Sequence, residues 1–132
     1  MDLFFYSKEK KGVGRYIFDL YQELMSEYQV EFFQAIESLS LRLRQPLFDH
    51  TIALLLAGKR EDLFEILFIK DLLDRVRIIL ILPDDNSDTI RKGHMLAPRF
   101  LTFADSNFSL VKSVLMQMIQ NRKNLNETIW LP

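Results

Sequence analysis

The stretch Thr51–Leu82, "TIALLLAGKREDLFEILFIKDLLDRVRIILIL", decides the fold. It opens on "TIALLLA" and ends on "VRIILIL", two short runs that are apolar on every position but one or two. A strand with water on one face alternates apolar and polar residues. A strand covered on both faces does not, so both runs read as central strands of a sheet with helices above and below. Gly58 ends the first run and Pro83 the second. Between them, "REDLFEILFIKDLLDR" reads as one helix over 60–75, with Glu61 and Asp62 near its positive end and Arg75 near its negative end. Strand, helix and strand in this order form a crossover between parallel neighbours, and such crossovers are right-handed.

The same alternation extends in both directions. "DLFFY" is a first strand, and the helix after it places Ile17, Leu20, Tyr21, Leu24, Met25 and Tyr28 on one face. "QVEFF" is a second strand. "IESLSLRLRQ" reads as a short helix stopped before Pro46, although its alternation from Leu39 to Leu43 also allows a strand. "DDNSDTIRKGHM" opens with capping residues and gives a short helix. "RFLTFA" is a fifth strand. The last helix is capped by Ser106 or Asn107 and buries Phe108, Val111, Leu115, Met118 and Ile119. The expected fold is therefore a flavodoxin-like (βα)5 three-layer α/β sandwich with a parallel sheet ordered 2-1-3-4-5. Residues 1–123 form its single domain, and 124–132 a tail that folds back through Ile129, Trp130 and Leu131.

Bulk properties narrow the function. At 132 residues with 48% hydrophobic and 27% charged residues, the chain supports one ordinary core. The absence of cysteine excludes thiol chemistry and cysteine-bound metal, and fits a reducing cytoplasm. A net charge of -1 gives no overall field toward nucleic acid or anionic lipid. The apolar runs are far shorter than a membrane span, and "MDLFFYS" lacks the basic start of a signal peptide. The sequence reads as a cytoplasmic protein with no nucleic-acid or membrane partner.

Three regions carry candidate function. In doubly wound folds ligands sit at the carboxyl ends of the strands, where "SKEKKGVGRY", Ser7–Tyr16, falls. Gly12 and Gly14 allow close backbone approach, Lys10, Lys11 and Arg15 add charge beside Lys8, and the next helix N-terminus favours an anion. A solvated turn with glycine for conformational freedom explains the same residues. Asp84, Asp85 and Asp88 read as helix capping. His50 and His94 fit neither a metal nor a triad spacing and read as surface or turn residues. Asn126-Glu127-Thr128 matches a glycosylation acceptor by chance. The third helix carries more apolar residues than one face can bury, so Phe64 and Phe68 form an interaction surface unless the tail or a neighbouring helix covers them. Phe100 and Phe103, with Leu110 and Val114, give a second candidate surface.

Five strand–helix units over residues 1–123 resemble the receiver domain of response regulators. "VEFFQAIESLSLRLRQPLFDHTIALLLA" looks like that family's second strand through third strand, with Pro46 and Asp49 at its P-x-x-D turn. "APRFLTFADSNFSLVKSVLMQMI" is similar to its fifth strand and last helix. The resemblance implies an acidic pair where this chain has Tyr6 and Ser7, and a phosphate-accepting aspartate within Leu54–Ala57. It implies a hydroxyl residue where Leu82 or Pro83 stands, a lysine at Phe103 and a proline at Ala104. None is present. Magnesium needs oxygen ligands, chiefly carboxylates, and acyl-phosphate formation needs the aspartate. The expectation is a non-enzymatic pseudo-receiver without metal or cofactor, which signals by docking a protein partner or by homodimerising. The alternative is a flavodoxin-like protein that binds a nucleotide or flavin phosphate through residues 7–16, although only Ser7 resembles the hydroxyl-rich loop of flavodoxins.

Overall fold

The computed structural model describes residues 2–123. Five parallel strands stand in the order β2-β1-β3-β4-β5: β1 Leu3–Tyr6, β2 Val30–Phe33, β3 Ile52–Leu56, β4 Arg77–Leu82 and β5 Phe100–Phe103. Five helices connect and follow them: α1 Val13–Leu24, α2 Ile36–Leu43, α3 Arg60–Phe68, α4 Ser87–His94 and α5 Phe108–Lys123. This is the flavodoxin-like order expected from the sequence. The proposed fold of the tail over Trp130, and the Asn126 triplet, lie outside the described residues.

The burial of each strand follows its place. Every residue of β1 and β3 is buried, and β4 is buried after Arg77. The edge strand β2 is half-buried throughout and carries Glu31, a charge that discourages pairing with another sheet edge. Two cores lie on the two faces. Leu39 and Leu43 of α2, and Leu63 and Ile66 of α3, pack on Phe4, Ala53, Leu55, Ile78 and Leu80. Ile17, Leu20 and Leu24 of α1, and Val111, Leu115 and Ile119 of α5, pack on Leu3, Phe5, Leu54, Ile79 and Ile81. Alternate residues of one strand thus feed opposite cores.

Most local expectations hold. The stretch after β2 is a helix, so its strand-like alternation loses to the burial of Leu39 and Leu43. Asn86 caps α4 by accepting from the Asp88 N–H at 2.9 Å, and Asn107 caps α5 by accepting from the Ser109 N–H at 2.9 Å. One boundary differs. The helix over 60–75 ends at Phe68, and a separate 3₁₀ turn covers Lys70–Leu73. The tighter turn brings Leu73 and Val76 back onto the core just before β4.

Candidate functional site

The carboxyl ends of β1, β3 and β5 frame a cavity of about 170 Å³. Lys8, Glu9 and Lys11 line it from the first loop, Leu56, Gly58 and Asp62 from the β3–α3 junction, and Ala104 from the end of β5. Its apolar lining comes from Val13, from Ala104 and from Leu56, the buried last residue of β3. The two carboxylates at its rim are already paired. Lys8 Nζ lies 3.5 Å from Asp62 and 2.9 Å from Glu65, and Glu9 lies 3.8 Å from Lys59. The hydrogen bond to Glu65 holds the Lys8 ammonium above the usual lysine range. Below it, the Tyr6 side chain is fully buried, and its phenol makes no hydrogen bond in the structure. Burial, with Glu65 adding to it, pushes that phenol up to about 12.

The loop folds on itself. Ser7 Oγ donates to the Glu9 carbonyl at 2.5 Å, and the Gly14 and Arg15 N–H groups donate to the Lys11 and Gly12 carbonyls at 2.9 and 3.0 Å. Two N–H groups of the helix start, the ones that would face an anion, therefore already have partners. Gly12 sits at φ 54°, ψ −128°, a conformation that suits glycine. Gly14 lies so close beneath the Glu9 carbonyl that any side chain would collide with it. The basic residues separate. Lys11 lines the cavity, Lys10 lies 4.7 Å from the Phe18 ring centre, and Arg15 pairs with Asp19 at 3.1 Å on the outer face of α1.

The aromatic residues also divide. Phe68 is 92% exposed and Phe64 52% exposed, with the Lys92 ammonium of α4 lying 4.4 Å from the Phe64 ring centre. Phe100 packs against the α1/α5 core and Phe103 against the α2/α3 core, so these two do not share a face. Asp84 accepts from Arg60 at 2.9 Å and from the Asn86 N–H at 3.0 Å, which holds it below the usual carboxylate range. Asp88 is held low by Arg91 and Lys92. Among the described residues no three His, Asp or Glu side chains are grouped to hold a metal ion.

Comparison with solved structures gives the context. A response regulator from Burkholderia pseudomallei, solved with a phosphorylated aspartate, a calcium ion and citrate, matches 98% of this chain and 76% of its own at 14% identity, with a TM-score of 0.60. A response regulator receiver from Dyadobacter fermentans matches 90% of this chain and 98% of its own at 15% identity, with a TM-score of 0.59. The fold is that of a response-regulator receiver. No family model and no curated protein matches the sequence. In this receiver-like chain the 170 Å³ cavity occupies the edge where doubly wound folds bind ligands.

Several features of the structure were not readable from sequence. The partners of Lys8 are 54 and 57 positions away, and no local pattern links them. Asp2 is 3% exposed and accepts from Arg42 Nη2 at 3.3 Å, while Arg42 Nε donates to Glu31 at 2.9 Å. The signal available was a charge directly before an apolar strand, which invites a search for a buried partner. No helix among the described residues is long and apolar enough to cross a membrane.

Proposed function

We propose that this chain is a non-catalytic signalling module, which uses the receiver-like scaffold to dock a protein partner or a second copy of itself without taking a phosphate. One observation carries the reading: β3 ends in Leu56 and is followed by Ala57, both buried, and the nearby Asp62 and Glu65 are engaged by Lys8. An acyl phosphate needs a free carboxylate beside a divalent cation. Here an ammonium takes the cation's place and is neutralised by the protein's own carboxylates. Exposed Phe64 and Phe68, one turn apart on α3, supply the apolar surface a partner would cover.

The test is proximity labelling in the producing cell, comparing wild type with Phe64→Glu/Phe68→Glu. The reading expects a partner, or the chain itself, to be labelled by wild type and lost in the double variant. Equal labelling by both would remove α3 from the account. The flavodoxin-like alternative needs room for a nucleotide or flavin. Ligand pockets usually hold about 300–1,000 Å³, more than the 170 Å³ between the first loop and Ala104. A thermal shift with a nucleotide or flavin, lost on Lys10→Ala/Lys11→Ala, would reverse this ranking.

A further inference from the structure

The opposite end of the sheet carries a different arrangement. At the amino ends of β4 and β5 a cavity of about 420 Å³ is lined by Arg75, Arg77 and Arg99. Arg77 opens β4 with its N–H bonded to the Thr51 carbonyl at 2.9 Å, and Arg99 precedes β5 with its N–H bonded to the Ile78 carbonyl at 2.8 Å. Both residues stand at the start of adjacent strands, and both line the cavity. Like charges that share one cavity oppose each other. Burial, with Arg99 adding to it, lowers the affinity of Arg77 for its proton.

Such a cluster is usually quenched by carboxylates. Arg15, Arg42, Arg60 and Arg91 each have an acidic partner within 4 Å. Asp49 and Asp74 line the same cavity, yet among the described residues neither forms an ion pair with the three arginines. The side-chain partner of Arg77 is instead His50 Nδ1 at 2.9 Å. A guanidinium only donates, so Nδ1 accepts in this hydrogen bond. The backbone adds a second observation. Among the described residues, the non-glycine positions at positive φ are His50 (68°) and Ala97 (50°), and both line this cavity. Left-handed backbone at non-glycine residues is costly and gathers at binding sites.

We propose that Arg75, Arg77 and Arg99 form a binding site for the phosphate group of a small phosphomonoester. Guanidinium forks match phosphate oxygens two at a time, and a dianion relieves the repulsion between Arg77 and Arg99. An adjoining cavity of about 390 Å³ shares Asp49, His50, Asp74 and Arg75 and adds Gln45 and Asp71 beside the apolar side chains of Leu43, Leu47, Phe48 and Leu72. The phosphate sits at the arginines and the organic group lies toward Phe48. This site is separate from the loop Ser7–Tyr16, at the other end of the strands, and does not depend on the docking role proposed above.

The test is calorimetric titration of the full chain with phenyl phosphate, inorganic phosphate and phenol at fixed ionic strength. Phenyl phosphate binds tightest, inorganic phosphate binds more weakly, and phenol does not bind. Arg99→Gln changes an exposed residue, leaves the circular dichroism spectrum unchanged and weakens phenyl phosphate at least tenfold, whereas Lys10→Ala/Lys11→Ala leaves it unchanged. The proposal is overturned if phenyl phosphate gives no binding heat at millimolar concentration. It is also overturned if Arg99→Gln binds as wild type does, or if phenol binds as well as its phosphate.

Discussion

At the scale of single residues, two positions show how the first loop is held. Gly14 lets α1 start directly beneath the Glu9 carbonyl, so Gly14→Ala must push the loop away. We expect a loss of about 2 kcal/mol by urea denaturation, because alanine's better helix propensity offsets at most about 1 kcal/mol of the steric cost. Tyr6 makes the second case. Its phenol ionises near 10 in the unfolded chain and near 12 in the fold. Between those values the native state holds a proton that the unfolded state has lost, so stability falls as pH rises from 10 toward 12. Tyr6→Phe flattens that fall. Near neutral pH the same variant is as stable as wild type or slightly more so, because the hydroxyl it removes is buried without a partner. Urea midpoints across pH 7–11.5 check both statements.

At the scale of elements, α3 and α2 carry the most. The apolar excess of α3 is divided between a buried side, Leu63 and Ile66, and an outer side, Phe64 and Phe68. Phe68→Glu is therefore expected to change stability by less than about 0.5 kcal/mol, the range for exposed positions. A larger loss would mean that Phe68 is covered. Arg42 of α2 ties Asp2, before β1, to Glu31 of β2, and lies 5.0 Å from the Phe4 ring centre. Arg42→Ala leaves Asp2 buried and unpaired, at an expected cost of about 3 kcal/mol. Adding Asp2→Asn to it recovers part of that loss in a double-mutant cycle.

Sequence periodicity was sufficient for the element order, because continuous apolar runs such as "TIALLLA" belong only to central strands. It failed at the break in α3, which nothing local to Ile69 marks and which goes with the packing of Leu73 and Val76 on the core. Sites were legible only where they were made of neighbours. The loop Ser7–Tyr16 was found, whereas the convergence of Arg75, Arg77 and Arg99 required the register of β3, β4 and β5.

At the scale of the molecule, a receiver-like fold carries at its carboxyl edge an apolar strand end and a group of paired charges. Similarity at 14–15% identity to response regulators extends to the fold. On the reading proposed above, the apolar end of β3 and the Lys8–Asp62–Glu65 group leave this edge without a free phosphate acceptor. Asp62 lines the cavity, but it is 5% exposed and paired with Lys8. The most direct measurement is intact-mass analysis after incubation with acetyl phosphate and magnesium, with Asp62→Asn as a parallel sample. The account predicts unmodified protein in both. A stoichiometric, hydroxylamine-labile phosphoryl adduct on the wild type would contradict it, and loss of that adduct in Asp62→Asn would identify the acceptor.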